Sequence, residues 1–241
     1  MTEFRIGTAG WTVPRAVADR FPGEGSALQR YAGRFTAAEI NTSFYRSHRL
    51  DTWARWRDST PAGFRFAVKL SRAITHDARL APTDGQLDAA LAEARLLGDK
   101  LGPLLVQLPP SLAFDAEVAG CFFAVLREQF EGQIACEPRH PSWFEAPADA
   151  LLAGARVARV AADPARHPGA GVPGGWPSLA YWRLHGAPRM YFSAYGEDVL
   201  LRLARAMSTT PAAERWCIFD NTASGAAAND ALRLQALLAP G

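Results

Sequence analysis

The stretch LLVQLPPSLAFDAEVAGCFFAVLREQFEGQIACE, residues 104–137, decides the fold. Its two ends, Leu104–Leu108 and Gln133–Glu137, are short and almost wholly apolar, as strands buried on both faces of a parallel sheet are. Between them, Glu117–Phe130 carries apolar residues at helical spacing, and Asp115 is placed to cap the helix. Neighbouring parallel strands need such a crossover connection, so the stretch predicts a β-α-β unit.

The same alternation of short apolar runs and amphipathic stretches extends along the chain. The predicted strands are Phe4–Thr8, Ala37–Asn41, Phe64–Lys69, Leu104–Leu108, Gln133–Glu137, Arg156–Ala161, Leu179–Leu184 and Trp216–Asp220. Eight strands with intervening helices predict an α/β fold, a (β/α)8 TIM barrel in which residues 1–241 form a single domain. The alternative is an open doubly wound sheet. The barrel is favoured because Gly7-Thr8-Ala9-Gly10 after the first strand is not the GxGxxG phosphate loop.

Composition excludes several classes of protein. The chain has 241 residues, of which 49% are hydrophobic and 21% charged, so wholesale disorder is excluded. No apolar run reaches the roughly 18 residues of a membrane span, and the first residues lack the pattern of a secretory signal. We therefore expect a cytoplasmic protein with no membrane partner. The net charge of +2 gives no global argument for nucleic-acid binding.

Polar side chains cluster at the predicted carboxyl ends of the strands. In a barrel, functional residues lie at these ends and share the inward-facing parity of the strand. The inward residues, from six of the strands, are Glu39 and Asn41, Lys69, Gln107, Glu137, Arg183 and His185, and Asp220, and the sixth strand runs on to Asp163. They predict either a ligand or reaction site, or a structural network in which the polar groups pair with one another.

Three of these residues are candidates for catalysis: Lys69, Glu137 and Asp220. The chain contains 24 arginines and only two lysines, which suggests that Lys69 is needed as an ammonium. Lys69 could act as a Schiff-base lysine, a proton carrier or a phosphate contact. Glu137 and Asp220 could form a pair in which one carboxyl is the acid and the other the base.

Other polar and aromatic residues at the same ends, and in the loops that follow them, are candidates for binding the substrate. They are Trp11, Asn41, Tyr45, His76, Gln107, Arg139, Trp143, Arg183, His185 and Asn221. Lys69 and Arg183 are expected to neutralise an anion, and the aromatic rings of Trp11, Tyr45 and Trp143 to stack on a ring. The competing interpretation is that these aromatic rings pack loops onto the rim.

Neither a metal nor a cofactor is expected. A metal hydrolase site would need several histidines and carboxylates to converge, whereas His185 is the one histidine at a strand end. Cations in the same mouth would also disfavour a metal ion.

Seven motifs carry a resemblance to a known family. They are GTAGW (7–11), EINTSFY (39–45), FAVK (66–69), QLPPS (107–111), EPRHPSW (137–143), YWRLHG (181–186) and FDNT (219–222). In this order and spacing the chain resembles domain-of-unknown-function family 72, the YecE-like proteins, from about residue 4 to residue 238. The resemblance implies a TIM barrel similar in outline to those of xylose isomerase and endonuclease IV, and it implies no reaction.

The residues together predict a hydrolase or isomerase that acts on a phosphorylated sugar, a nucleotide or nucleic acid. The expected partner is a small anionic ring-containing ligand or a single-stranded nucleic acid. The alternative is a non-catalytic module that binds nucleic acid or a small anion in the same pocket. The fold analogy to endonuclease IV is a weak argument for nucleic acid, because one fold hosts many functions.

Overall fold

The computed structural model describes residues 3–81 and 85–239. The strands in this part of the chain are β1 (Glu3–Thr8), β2 (Ala37–Ile40), β3 (Arg65–Lys69), β4 (Leu101–Gln107), β5 (Ile134–Glu137), β6 (Val157–Arg159), β7 (Ala161–Asp163), β8 (Gly174–Gly175), β9 (Leu179–Leu184) and β10 (Glu214–Phe219). The α-helices are α1 (Ala27–Ala32), α2 (Leu50–Asp58), α3 (Gln86–Arg95), α4 (Ala116–Gln129), α5 (Ala146–Gly154), α6 (Glu197–Thr209) and α7 (Ala226–Leu238).

The strands form two sheets in a mixed α/β single-domain fold. One sheet has the order β1-β10-β9-β7 and the other the order β2-β3-β4-β5-β6-β8. Every pairing is parallel except the short antiparallel pairing of β8 with β6. Parallel sheets with intervening helices confirm the α/β class. The closed eight-stranded barrel is not confirmed, because the described ladders form two sheets and not one continuous cylinder.

The β-α-β unit predicted for residues 104–137 is present. Asp115 caps α4, since its carboxylate accepts hydrogen bonds from the amides of Glu117 and Val118 at 2.9 and 3.0 Å. The strands on either side, β4 and β5, pair in register from Leu104 with Ile134 to Gln107 with Glu137.

The predicted strand Arg156–Ala161 is instead two strands, β6 and β7. The chain changes sheets at Val160, whose amide still donates to the Cys136 carbonyl of β5 at 2.8 Å, while β7 pairs with β9. The sequence pattern shows one apolar run because both halves are largely buried, and it contains no sign of the change of partner.

Two hydrophobic clusters hold the fold together. The larger lies between the sheets and the helices. The smaller takes alternate residues of the strands, on the side predicted to face inward: Ala37, Ala67, Leu105, Ala135, Ala158, Val160, Leu179, Tyr181, Trp216 and Ile218. This smaller set is called the inner cluster below.

The inner cluster is unequal in its two halves. The six-stranded sheet contributes alanine from four of its strands, whereas β9 and β10 contribute Tyr181 and Trp216. These two rings stack with centroids 5.9 Å apart and planes 4° from parallel. Large side chains from one sheet thus fill the space that small ones leave on the other.

Within the described residues, no helix combines the length and hydropathy that crossing a bilayer requires.

Candidate functional site

Arg183 lies at the centre of the polar residues that end the strands. Its side chain is fully buried, at the carboxyl end of β9. It binds the carboxylate of Glu39 on β2 with two hydrogen bonds, from Nε to Oε2 at 2.9 Å and from Nη2 to Oε1 at 2.7 Å. Such a bidentate contact fixes the planes of the guanidinium and the carboxylate relative to each other. The pair links β9 of one sheet to β2 of the other.

The same guanidinium contacts two further carboxylates. Nη1 of Arg183 lies 3.2 Å from Oε2 of Glu137, and Nη2 lies 3.1 Å from Oδ2 of Asp220. Burial by itself lowers the pKa of Arg183, but the three carboxylates raise it well above its usual value. Arg183 is therefore paired with three carboxylates of the protein itself, and its role as an anion-binding cation stays a prediction.

His185 joins two of these carboxylates. Its Nε2 lies 2.8 Å from Oε1 of Glu137, and its Nδ1 lies 3.0 Å from Oδ2 of Asp220. The ring of His185 thus connects Glu137 at the end of β5 with Asp220, which follows β10.

Glu137 is the most heavily hydrogen-bonded carboxylate of the group. Beyond Arg183 and His185, it accepts hydrogen bonds from Nε2 of Gln107 and Nη2 of Arg139, both at 2.9 Å. Although burial raises its pKa, the charges around it hold the pKa well below the usual range. Seven residues, Glu39, Gln107, Glu137, Arg139, Arg183, His185 and Asp220, are called the Arg183 cluster below.

The predicted acid–base pair is therefore two anions. The pKa of Asp220 is also lowered, because Arg183 and His185 outweigh the effect of its burial. A general acid needs a pKa near the working pH, which neither Asp220 nor Glu137 has here. In this geometry both carboxylates orient the cations around them.

The side chain of Lys69 differs from its polar neighbours in having no hydrogen-bond partner among the described residues. It ends β3 with 5% of its surface exposed, and its Nζ lies 4.0 Å from the centre of the Phe44 ring. Within residues 3–81 and 85–239, no hydrogen bond or ion pair is formed by this ammonium. Burial, helped by the charge of Arg183, lowers the pKa of Lys69 to about 8, against the opposing effect of the three carboxylates.

Lys69 borders a cavity of about 430 Å³. Tyr45 and Arg46 also line it, and 72% of the surface of Tyr45 is exposed. The guanidinium of Arg46 forms no ion pair with any described residue. His76 lies nearby, half-buried with its ring 5.0 Å from that of Phe44, and burial and the charge of Lys69 lower its pKa.

Asn41 follows β2 on the side of Glu39. It is half-buried, and its Oδ1 is enclosed without a hydrogen-bond partner in the described part of the chain. A buried amide oxygen left unpaired is costly, so this atom is available to a ligand or a water molecule.

Besides Asn41 and His76, three predicted binding residues lie outside both the Arg183 cluster and the lining of the cavity: Trp11, Trp143 and Asn221. Trp11 packs on the larger hydrophobic cluster, with ring centroids 5.1 Å from Trp56 and 6.0 Å from Phe66. The stacking role predicted for Trp143 is wrong, because only 1% of its surface is exposed and its Nε1 donates to the Leu112 carbonyl at 2.9 Å.

The side chain of Asn221 forms hydrogen bonds to two other parts of the fold. It is fully buried, and its Nδ2 donates to the Ser193 carbonyl at 2.9 Å and to Oδ2 of Asp230 on α7 at 2.8 Å. These contacts tie the loop after β9 to the last helix.

Glu39 is the functional residue that the predicted site left out. Strand parity places it on the inward side with Asn41, and that signal was sufficient to include it. What parity does not give is the partner, since the pairing of Glu39 with Arg183 joins residues 144 positions apart. Among the described residues, no group of three or more His, Cys, Asp or Glu side chains is arranged to hold a metal ion.

Comparison with known proteins gives one family. The family model described as "Protein of unknown function DUF72" matches residues 5–241. Among curated proteins, the UPF0759 protein YecE of Escherichia coli K12 is 28% identical over 139 residues, which is 58% of this chain and 49% of that protein. The UPF0759 protein YunF of Bacillus subtilis is 29% identical over 150 residues, which is 59% of this chain and 52% of that protein. The matched part thus spans about half the length of these relatives.

Two solved structures share the fold. A DUF72 family protein from Enterococcus faecalis superposes with a TM-score of 0.81 at 23% identity, over 98% of this chain and 95% of that one. A DUF72 family protein from Thermotoga maritima gives a TM-score of 0.77 at 22% identity, over 98% of each chain. At this identity the likeness concerns the fold alone.

Proposed function

The chain belongs to the DUF72 family, and from that premise we propose that it is an acid–base enzyme, an isomerase of small anionic ring-containing compounds such as sugar phosphates. The observation that carries this proposal is Lys69, whose buried ammonium forms no hydrogen bond with any described residue and lies at the edge of a cavity large enough for such a ligand. Perturbed titratable groups in clefts are common at functional sites.

The charges favour isomerisation over glycoside hydrolysis. Hydrolysis by a carboxyl pair needs one member with a raised pKa, so that it can protonate the leaving group. Glu137 has a strongly lowered pKa and that of Asp220 is also lowered. Lys69, with a pKa of about 8, is the group suited to give and take a proton near neutral pH.

The anionic part of the ligand has a binding place at the rim. Arg46 is exposed and unpaired within the described residues, and it lines the same cavity as Lys69. A phosphate on Arg46 would leave the rest of the ligand in the cavity that Tyr45 and Lys69 line. Asn41 would offer its free amide oxygen to a sugar hydroxyl.

Thermal shift measurements with matched ligands test this proposal. Sugar phosphates are compared with the same sugars lacking phosphate, on wild type, Lys69→Met and Arg46→Met. Arg202→Met is the control, since Arg202 is an exposed arginine that pairs with Asp198 on α6. We expect stabilisation that requires the phosphate, that weakens in the first two variants and that persists in the control. Ligands that bind are then followed by NMR for aldose–ketose conversion.

Equal stabilisation by sugars with and without phosphate would refute the anion site. Binding without turnover would leave the non-catalytic small-anion module as the better description.

Single-stranded nucleic acid is a second candidate ligand. Tyr45, Tyr191 and Phe192 are exposed by 72%, 40% and 39%, and stacking of bases on such rings is tolerant of sequence. If this is the ligand, the affinity for an oligonucleotide falls steeply with added salt and falls further in Arg46→Met. An affinity that does not change with salt excludes it.

We also propose that the two sheets together form the eight-stranded barrel that the sequence predicts. Three observations support closure of the barrel. β6 and β7 are separated by Val160 alone, Ala9 and Glu39 form a parallel bridge between the two sheets, and the inner cluster draws residues from both. The barrel would place the Arg183 cluster at its carboxyl-terminal mouth.

A further inference from the structure

We propose that Lys69 forms an imine with the carbonyl carbon of an aldehyde or ketone substrate bound in the 430 Å³ cavity. This inference deepens the proposed function and rests on it, since it requires that the cavity holds the substrate. It also narrows the ligand class to compounds that present a free carbonyl group, such as the open-chain form of a sugar phosphate.

The first support is the contrast between the two lysines of the chain. The ammonium of Lys100 donates to the carbonyls of Arg57 and Thr60 and, at 3.0 Å, to Oγ1 of Thr60. Lys100 thus has the contacts of a structural lysine. Lys69 is more deeply buried, yet no described residue accepts a hydrogen bond from it.

The second support is the burial of Lys69 at the edge of the cavity. Only 5% of the surface of Lys69 is exposed, and the charge of Arg183 acts on it as well. Burial and a neighbouring positive charge both favour the neutral amine, which is the nucleophile, against the attraction of the Phe44 ring face for the charged form. With a pKa of about 8, about one tenth of Lys69 is neutral at pH 7, against about one in three thousand for an ordinary lysine.

The third support is the charge around the product. The reaction joins the Lys69 ammonium and a carbonyl compound to give a protonated imine and one water molecule. The Lys69 ammonium first gives up one proton, and the freed nitrogen lone pair attacks the carbonyl carbon while the C=O electron pair moves to oxygen. The nitrogen then passes a second proton to that oxygen. The first proton returns to the same oxygen, which leaves as water as the nitrogen lone pair forms the C=N bond.

No oxidant or reductant takes part in this step, and one positive charge is present before and after it. Glu39, Glu137 and Asp220 each act on Lys69 by favouring its charged form. They would favour the protonated imine in the same way. Because Arg183 contacts all three carboxylates within the protein itself, this support does not depend on binding a ligand first.

Reductive trapping tests the proposal, with Lys100 as the internal control. In the first arm, wild type reacts with formaldehyde and cyanoborohydride at pH 7, and peptide mass spectrometry compares the initial methylation of the two lysines. We expect Lys69 to react at least tenfold faster. In the second arm, sugar phosphates that stabilise the protein are incubated with it and borohydride is added; we expect a stable adduct at Lys69.

Lys69→Arg keeps the positive charge and should give no adduct at position 69, and its circular dichroism and thermal midpoint check that the fold is retained. Lys69→Met provides a second variant if the larger guanidinium disturbs packing. Methylation of Lys69 that is no faster than that of Lys100 would overturn the imine. So would stabilising sugar phosphates that leave no adduct, and in that case the proposed acid–base function would stand. If no sugar phosphate stabilises the protein, both proposals fail.

Discussion

Arg183→Met is the substitution that most directly tests the account of the polar cluster. Methionine keeps much of the length of the side chain and removes its charge and all its hydrogen bonds. In wild type this guanidinium contacts Glu39, Glu137 and Asp220 at distances between 2.7 and 3.2 Å, with no exposed surface. The variant would leave these carboxylates buried without their central cation.

The expected cost is large. Removing one partner of a buried ion pair costs about 3–5 kcal/mol, because the other charge remains buried and unpaired. For a chain of 241 residues this corresponds to a fall in the melting temperature of about 6–20 °C. Arg202→Met is the matched control, since it breaks an exposed pair with Asp198 and should leave the midpoint within experimental error.

The pH dependence of the destabilisation distinguishes loss of the Arg183 charge from simple loss of packing. Without Arg183, the pKa values of the buried carboxyl groups are expected to rise, and the variant is expected to fold more readily when these groups are protonated. The destabilisation should therefore be larger at pH 7 than at pH 5. Urea unfolding at both pH values measures it, and the denaturant slope shows whether unfolding remains two-state.

A double variant completes the test. Glu39→Gln removes one of the stranded charges, so Arg183→Met combined with Glu39→Gln should cost less than the sum of the two single changes, by about 0.5–3 kcal/mol. Additive costs together with a pH-independent loss would refute the electrostatic reasoning. A loss below about 1 kcal/mol for Arg183→Met alone would refute it as well.

Three further predictions follow from other parts of the fold. Trp143→Ala should destabilise the protein by about 3–5 kcal/mol in urea without weakening ligand binding, since Trp143 is a core residue; a selective loss of binding would restore its stacking role. Gly7→Ala should lower the thermal midpoint, because the added methyl group collides with the Ala37 carbonyl oxygen, and an unchanged midpoint would contradict the close approach of β1 to β2. The pKa of Glu137 is lowered in the folded state, so its ionised carboxylate stabilises the protein above the unfolded-state pKa of about 4.3, and this stabilisation is lost as the pH falls through the folded-state pKa. Glu137→Gln should therefore flatten the acid side of a plot of stability against pH. An unchanged acid side would argue against the lowered pKa.

The sequence was sufficient to predict most of the strands and the side to which their residues point, although it showed β6 and β7 as one strand and gave no sign of β8. Buried parallel strands are short apolar runs whatever their partners, so β4, β5 and β9 begin and end within three residues of the predicted positions. Strict alternation along a strand then placed Lys69 and Arg183 on the inward side without knowledge of the sheet order.

The sequence could not predict which polar groups would pair. Arg183 and Lys69 have the same parity, the same sign of charge and the same place at a strand end. One is surrounded by carboxylates and the other has none within ion-pair distance among the described residues. This difference depends on the distances in space between residues that are far apart in the chain. It gives Arg183 and Lys69 different roles.

Loops past the strand ends were the least predictable part. Trp143 and Tyr45 both follow a strand closely and both are aromatic. Trp143 turns into the core, where its N–H finds the Leu112 carbonyl, whereas Tyr45 remains exposed. Alternation ends with the strand, so no periodic pattern distinguishes these two outcomes.

The unequal halves of the inner cluster constrain how this chain can evolve. Small side chains such as Ala135 are matched by the stacked rings of Tyr181 and Trp216 on the other sheet. Enlarging an alanine first would overpack the interior at about 1–3 kcal/mol, and shrinking an aromatic ring first would open a void at about 3–5 kcal/mol. Either single step passes through a less stable intermediate. We therefore expect descendants of this chain to exchange volume across the interior in coupled pairs of substitutions, and to drift independently at the exposed positions of the helices.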